Sequence, residues 1–146
     1  FCITQVQRQV ELTNISVSTP KVLMASSATT AKKRVQRIAM TLNIRPEKVE
    51  QYKTEHDNAW PEIAKALREV GVTNLSIFLA PDMPKLFMYM EYTRADEESF
   101  QEAMARYAVM PRVQEWEELM RTMQVQLPGA PPGKWWQECR ELYWLE

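Results

Sequence analysis

A histidine and a tyrosine lie four residues apart in the segment from Tyr52 to Glu62. His56 is the only histidine of the chain, and it follows Tyr52 by four residues. On a helix, residues at this spacing project from the same face. Imidazole titrates near neutrality, and a phenol beside it can donate or relay a proton. The pair predicts a composite acid/base site; spacing alone is also consistent with a half-exposed histidine beside a core tyrosine.

A proline divides this segment. Pro61 follows Trp60, and proline both lacks a backbone donor and disfavours helical geometry at the residue before it. We therefore expect one helix to open at Pro46 and to break between Asp57 and Trp60. A second helix should begin at Pro61 and stop at Gly71. His56 would then lie at the end of a helical piece, beside a bend that can direct its side chain into a cleft.

The rest of the chain alternates between the periods of strands and helices. Alternation of apolar and polar residues predicts three strands, at 38–42, 74–79 and 85–92. Helical periodicity follows at 95–108 and from Pro111 onward, and the apolar run 142–145 predicts a final strand. The order β-α-β-β-α-β is that of ferredoxin-like folds. We expect an α+β domain with an antiparallel sheet and helices on one face, and a homodimer, a dimeric α/β-barrel-like assembly, that covers the other face.

Composition separates the first 34 residues from the rest. Residues 1–34 are rich in Ser and Thr, and Glu11 is their only acid. They have little apolar surface to offset the entropy of ordering, so we expect a disordered N-terminal extension followed by a folded domain at 35–146. Residues 1–23, before Met24, read as an added extension or as a transit segment.

Several classes of function are disfavoured by composition. A 45% hydrophobic and 25% charged chain with no long apolar stretch is typical of a water-soluble protein, which we place in the cytoplasm, away from membranes. A net charge of -1 offers no basic field for nucleic acid. One histidine with the distant Cys2 and Cys139 cannot supply the usual zinc ligands. We expect neither a metal nor a cofactor.

An ordered set of motifs points to a known family. It comprises Tyr52-x-x-x-His56-x-x-x-Trp60-Pro61-Glu62, Leu67, Gly71, strand 74–79, Leu86-Phe87 with Glu91, Trp116 with Leu119-Met120, Trp135-Trp136 and Glu141-Leu142-Tyr143. Through these motifs, the chain from about Gln36 onward resembles the L-rhamnose mutarotases. These are small dimeric ferredoxin-like proteins that interconvert sugar anomers. The resemblance implies that His56 is the general acid, that Tyr52 contacts the sugar and that Trp116 helps to form the pocket.

Two positions depart from the family pattern. Leu75 stands where characterised bacterial members have a sugar-contacting tyrosine, and Glu117 where they have a second tryptophan. The first change removes a hydrogen-bond donor, and the second replaces an aromatic face with an anionic acceptor. The acid/base pair is kept while the recognition residues differ. The resemblance therefore supports the type of reaction more strongly than it supports the identity of the sugar.

Mutarotation opens a cyclic hemiacetal and closes it on the other face of the aldehyde. The anomeric hydroxyl must lose a proton while the ring oxygen gains one, which needs neither a metal nor a redox cofactor. We assign the proton transfers to His56 and the orientation of a sugar hydroxyl, or a part in the relay, to Tyr52. Glu62 is a weaker candidate, because a charge in the first helical turn after Pro61 also explains it.

Aromatic planes match the C–H face of a sugar, so tryptophans are candidates for binding the substrate. The four candidates are Trp60, Trp116, Trp135 and Trp136. Core packing is the alternative role for each. Two other functions stay open: a sugar-binding or dimerisation module without catalysis, suggested by Leu75 and Glu117, and a monooxygenase, suggested by analogy of fold alone.

Overall fold

The structure is a computed structural model that describes residues 34–93 and 98–146. The predicted extension at 1–34 lies outside the described residues except for Arg34, as do residues 94–97 of the predicted helix 95–108. In chain order the elements are β1 (Val35–Ile44), a 3-10 turn (Pro46–Lys48), α1 (Val49–Asp57), α2 (Pro61–Glu69), β2 (Val72–Leu79), β3 (Lys85–Thr93), α3 (Phe100–Ala108), α4 (Val113–Arg121), β4 (Gln124–Val125) and β5 (Gln137–Cys139).

The strands form one antiparallel sheet with the order β2-β3-β1-β4. Strands β1 and β3 pair from Val35 opposite Thr93 to Asn43 opposite Lys85, and they form its centre. The outer edge of β1 pairs with two short strands, with β4 near its end and with β5 near its middle. Together β4 and β5 occupy the position of the fourth strand of a ferredoxin-like sheet. The predicted α+β, ferredoxin-like fold is confirmed.

The helices cover one face of the sheet. Alternate residues of the two central strands are buried on this face, Ile38, Leu42 and Ile44 from β1 with Leu86 and Met90 from β3. Side chains from all four helices complete the core, with Tyr52 from α1, Ile63 from α2, Phe100 from α3 and Val113 from α4 each at most 6% exposed. The buried residues of β1 and β3 thus recur with the period of two that predicted these strands. No helix in the described part of the chain is long and apolar enough to cross a bilayer.

The helix boundaries mostly follow the predicted proline and glycine signals. Helix α1 ends at Asp57, Trp60 is extended, and α2 begins at Pro61 as expected. Gly71 has a φ of +91°, which stops the chain from continuing as a helix after α2. Helix α3 begins later than predicted, because Ser99 and Glu102 form a capping box that fixes its start at Phe100.

The predicted final strand at 142–145 is wrong. These residues have no regular structure, and their side chains are at least half exposed. The edge of β1 that a last strand would need is already paired with β4 and β5. Instead, the C-terminal segment is held by Arg37, which forms an ion pair of 2.9 Å with Glu141 and lies 3.8 Å from the centre of the Trp144 ring.

Candidate active site

The side chains of Tyr52 and His56 are adjacent on α1, as their spacing predicts. Their ring centres are 4.3 Å apart, and the Nδ1 atom of His56 lies 2.9 Å from the carbonyl oxygen of Tyr52. A carbonyl oxygen only accepts hydrogen bonds, so Nδ1 carries a hydrogen and donates it. The ring orientation is thereby fixed. Nε2 is the ring nitrogen that stays available to a ligand.

Burial sets the protonation of both side chains. Removal from water lowers the pKa of His56, and the hydrogen bond to the Tyr52 carbonyl only partly opposes this effect. The imidazole is therefore neutral at neutral pH, with a free lone pair on Nε2. Burial raises the pKa of Tyr52 to about 12, against a hydrogen bond with Gln124 that lowers it. The phenol is therefore a protonated donor beside a neutral base.

Trp116 of α4 forms the aromatic wall next to this pair. Its ring meets that of His56 edge-on, with 5.3 Å between the ring centres. Trp60 in turn contacts Trp116 edge-on at 5.5 Å. The bend between α1 and α2 thus brings an imidazole and two indoles together, because it ends α1 just after His56 and places Trp60 at the start of α2.

Two concave spaces meet at Tyr52 and His56. We call the first the inner cavity: it has a volume of about 360 Å³ and lies between the sheet and the helices, with a largely apolar wall from β1, β3, α2 and α3. The second, the outer cleft, has a volume of about 520 Å³ and is bordered by α1 and β2. Tyr52, His56, Leu75 and Ile77 line both. These volumes fall in the range of small-molecule sites, about 300–1,000 Å³.

A β-bulge in β2 places Leu75 in the wall of both spaces. The register between β2 and β3 shifts between Thr73 and Ser76, and Asn74 has a φ of +48°. The shift inserts one extra residue opposite β3. As a result Val72 and Ile77 both face the helices, although they are five residues apart. The side chain at position 75 is aliphatic and offers no hydrogen bond.

Glu117 and Gln124 are further polar side chains in the wall of the inner cavity. Glu117 is half-buried, and this burial raises its pKa against the opposing effect of Arg121. Gln124 is 2% exposed and lies on β4 opposite Ile44. The sequence marks Glu117 only as a departure from the family pattern. It does not identify Gln124, because a glutamine in a two-residue strand belongs to no motif or period.

The structure brings together some of the predicted site residues and separates others. Tyr52, His56, Trp116 and Trp136 all line the inner cavity. Trp60 and Trp135 border neither the inner cavity nor the outer cleft. The Glu62 carboxylate is part of the surface and lies 3.9 Å from the Arg112 guanidinium. Within residues 34–93 and 98–146, no cluster of three or more His, Cys, Asp or Glu side chains is arranged to hold a metal ion.

Comparison with known proteins identifies relatives along most of the chain. A family model described as L-rhamnose mutarotase matches residues 37–145. An L-fucose mutarotase of Xanthomonas campestris pv. campestris is 33% identical over 115 residues, which cover 76% of this chain and 89% of that protein. An L-rhamnose mutarotase of Bacillus subtilis is 31% identical over 112 residues, which cover 77% of this chain and all of that protein.

Solved structures share the fold at lower identity. An L-rhamnose mutarotase from Formosa agariphila superposes with a TM-score of 0.58 at 22% identity, covering 76% of this chain and 99% of that chain. A putative antibiotic biosynthesis monooxygenase from Bordetella bronchiseptica superposes with a TM-score of 0.52 at 13% identity, covering 78% of this chain and all of that chain. At these identities the likeness concerns the fold alone.

Proposed function

The chain belongs to the L-rhamnose mutarotase family, and we propose that it interconverts the α and β anomers of L-rhamnose or a related monosaccharide. The main support is the position of His56. Its Nδ1 is held 2.9 Å from the Tyr52 carbonyl, so a neutral imidazole lines the inner cavity with Nε2 free to accept a proton. A base of low pKa that is fixed in orientation suits proton transfer near neutral pH.

In the mechanism that we propose, one imidazole nitrogen serves two oxygens in turn. Nε2 of His56 takes the proton of the anomeric hydroxyl, the bond between the anomeric carbon and the ring oxygen breaks, and the same proton passes to the ring oxygen. Both oxygens are bonded to one carbon in the closed sugar, so a single nitrogen can reach each. Rotation of the aldehyde and the reverse transfers then close the ring on its other face.

Tyr52 and Trp116 position the sugar in this proposal. The Tyr52 phenol is protonated and donates a hydrogen bond to a sugar oxygen. The Trp116 ring lies against the imidazole and offers an aromatic plane for the C–H face of the sugar. Trp136 lines the same cavity and is a second candidate for this contact. The identity of the sugar is part of the proposal, because relatives are named for both L-rhamnose and L-fucose.

We also propose that the protein is a homodimer formed through the sheet face without helices. Phe78 and Phe87 are direct neighbours across β2 and β3 on this face, and they are 60% and 43% exposed. Val35 of β1 is 48% exposed. Val35 lies at the other end of the same face, so exposed apolar side chains occur along its length, and such a face favours association with a second surface of the same kind.

Saturation-transfer NMR on L-rhamnose, L-fucose and their deoxy analogues tests the catalytic proposal. The anomeric proton signals of α and β forms are resolved, so acceleration of exchange is measured directly at equilibrium. We expect the protein to accelerate exchange of at least one of these sugars. Binding without acceleration would instead identify the non-catalytic sugar-binding module. A haem absorbance band would favour the monooxygenase alternative.

A further inference from the structure

Apart from the core tyrosines, Gln124 is the only polar residue that is buried within residues 34–93 and 98–146. Only 2% of it is exposed, and its backbone pairs with Ile44 at the edge of the sheet. Its Oε1 has no hydrogen-bond partner among the described residues. An unpaired buried acceptor destabilises a folded protein, so in native structures such an atom nearly always has a partner.

The position of Gln124 indicates where that partner comes from. The side chain lines the inner cavity together with Tyr52, His56, Trp116 and Glu117. The Gln124 side chain is close enough to the Tyr52 phenol to lower its pKa, so the unpaired oxygen lies beside that phenol. A ligand in the inner cavity can therefore reach Oε1 beside the phenol of Tyr52.

We propose that Gln124 is a specificity-determining residue whose Oε1 accepts a hydrogen bond from a hydroxyl group of the bound sugar. This inference rests on the proposed function of the inner cavity. An amide oxygen accepts and does not donate, so the matching ligand group is a hydroxyl hydrogen. In the proposed mechanism, the anomeric hydroxyl contacts Nε2 of His56. The hydroxyl that reaches Gln124 is consequently another one, and it lies next to Tyr52.

The contact makes a sugar that lacks this hydroxyl a poor ligand. A site built to hydrogen-bond a hydroxyl discriminates strongly against an analogue without it, because the protein acceptor is then left unpaired. Leu75 lies on β2, at the opposite edge of the sheet from β4, and supplies no hydrogen bond there. Gln124 therefore provides recognition at a different point of the sugar from position 75.

Gln124→Met tests the inference, because methionine keeps the length and approximate volume of the side chain but has no amide. We expect the dissociation constants of L-rhamnose and L-fucose, measured by ligand-observed NMR, to rise about tenfold for whichever sugar the wild type binds. The sugar-free variant should unfold at about the same temperature as the wild type, because removal of the unpaired oxygen offsets loss of the amide beside Tyr52. Gln126→Met is the control, because Gln126 lies two residues away and lines neither space.

A deoxy-sugar series identifies the partner hydroxyl. Removal of that hydroxyl should weaken binding to the wild type about tenfold and leave binding to Gln124→Met unchanged. Equal binding of all sugars by the wild type and Gln124→Met would overturn the inference and leave water as the partner of Oε1. If Gln124→Met does not fold by circular dichroism, Gln124→Asn is used, since it withdraws the amide by one methylene and should produce the same loss.

The inference and the proposed function can fail separately. Sugar binding that depends on Gln124, without accelerated anomer exchange, would refute the catalytic proposal and support the assignment of Gln124. Accelerated anomer exchange with an unchanged dissociation constant in Gln124→Met would support the catalytic proposal and refute the assignment of Gln124.

Discussion

The guanidinium carbon of Arg112 lies 4.0 Å from the centre of the Trp60 ring. The same indole contacts Trp116 edge-on, so Trp60 joins the start of α2 to the start of α4. A cation over an indole face is an attractive contact. Trp60 is thus part of the support behind Trp116, whereas Trp116 itself borders the inner cavity.

This relationship predicts different effects for the two tryptophans. We expect Trp116→Phe to reduce anomer exchange about tenfold, mainly by raising KM, because a smaller ring contacts less of the sugar. Trp60→Phe should change the rate about twofold or less. Exchange rates over a range of sugar concentrations give both constants. Larger losses in Trp60→Phe than in Trp116→Phe would place Trp60 against the sugar.

Replacement of His56 should abolish most of the catalysis. His56→Asn keeps polarity but removes the group that titrates, so anomer exchange is expected to fall roughly 10²-fold or more. Tyr52→Phe should cause a smaller loss, because it removes only the orienting hydroxyl. Gln51→Ala on the same helix is the control and should retain the wild-type rate, because Gln51 is exposed and lines neither the inner cavity nor the outer cleft. Circular dichroism checks that each variant is folded, and an unchanged rate in His56→Asn would refute the mechanism.

The exchange rate should depend on pH through the base form of His56. Its folded pKa lies below the ordinary 6.5, because burial disfavours the charged imidazole. We expect kcat/KM to be constant above neutrality and to fall as the pH drops through that lowered pKa. Stability should fall as the pH drops from 6.5 to that lowered pKa, because the unfolded chain takes up the proton first, and His56 should cause no further loss below it. His56→Asn should remove this part of the pH dependence of unfolding, and a rate that rises on acidification would contradict the assignment.

Gly71 is expected to tolerate no side chain. Its φ is +91°, and a Cβ would lie 2.7 Å from the carbonyl oxygen of Thr93. Gly71→Ala should therefore lower the free energy of unfolding by about 3 kcal/mol. Gly133→Ala has a similar φ of +76° with nothing within 4 Å of the added atom, so it should lower stability by only about 1 kcal/mol. Urea unfolding measures both, and equal losses would exclude a steric effect at Thr93.

The dimer proposal predicts a mass of about twice 17.1 kDa in light scattering at micromolar concentration. Phe87→Lys should convert the protein to a monomer, because it places a charge in the exposed Phe78–Phe87 pair on the sheet face without helices. Val109→Lys is the control, since Val109 is 75% exposed and lies at the end of α3. A wild-type monomer, or a dimer unaffected by Phe87→Lys, would contradict an interface on this face.

Local signals in the sequence were sufficient for the first half of the fold. Pro61 and Gly71 bound α2 as predicted, since each restricts the backbone at its own position. The apolar run 142–145 was wrongly predicted to be a strand, because an apolar run does not show which sheet edge is free to pair. The strand that does pair there, Gln137–Cys139, has no apolar alternation and gave no signal.

The candidate site was predictable only where residues are close along the chain. Tyr52 and His56 lie on one helix, so their spacing fixes their proximity. The contact of His56 with Trp116 spans sixty residues, and it depends on how α4 packs against α1 and α2, which no local pattern encodes. Gln124 is distinguished by its burial and its unpaired oxygen, and both are properties of the folded chain.

The bulge in β2 makes the length of this strand as important as its composition. Val72 and Ile77 are an odd number of residues apart, yet both face the helices because of the extra residue between Thr73 and Ser76. Deletion of one residue there would restore regular alternation. The side chains at one end of the strand would then move to the opposite face of the sheet. Evolution can therefore change the wall of the cavity at position 75 by substitution, but not by shortening the strand. Loss of a single residue from this strand should therefore damage the cavity more than any substitution at position 75.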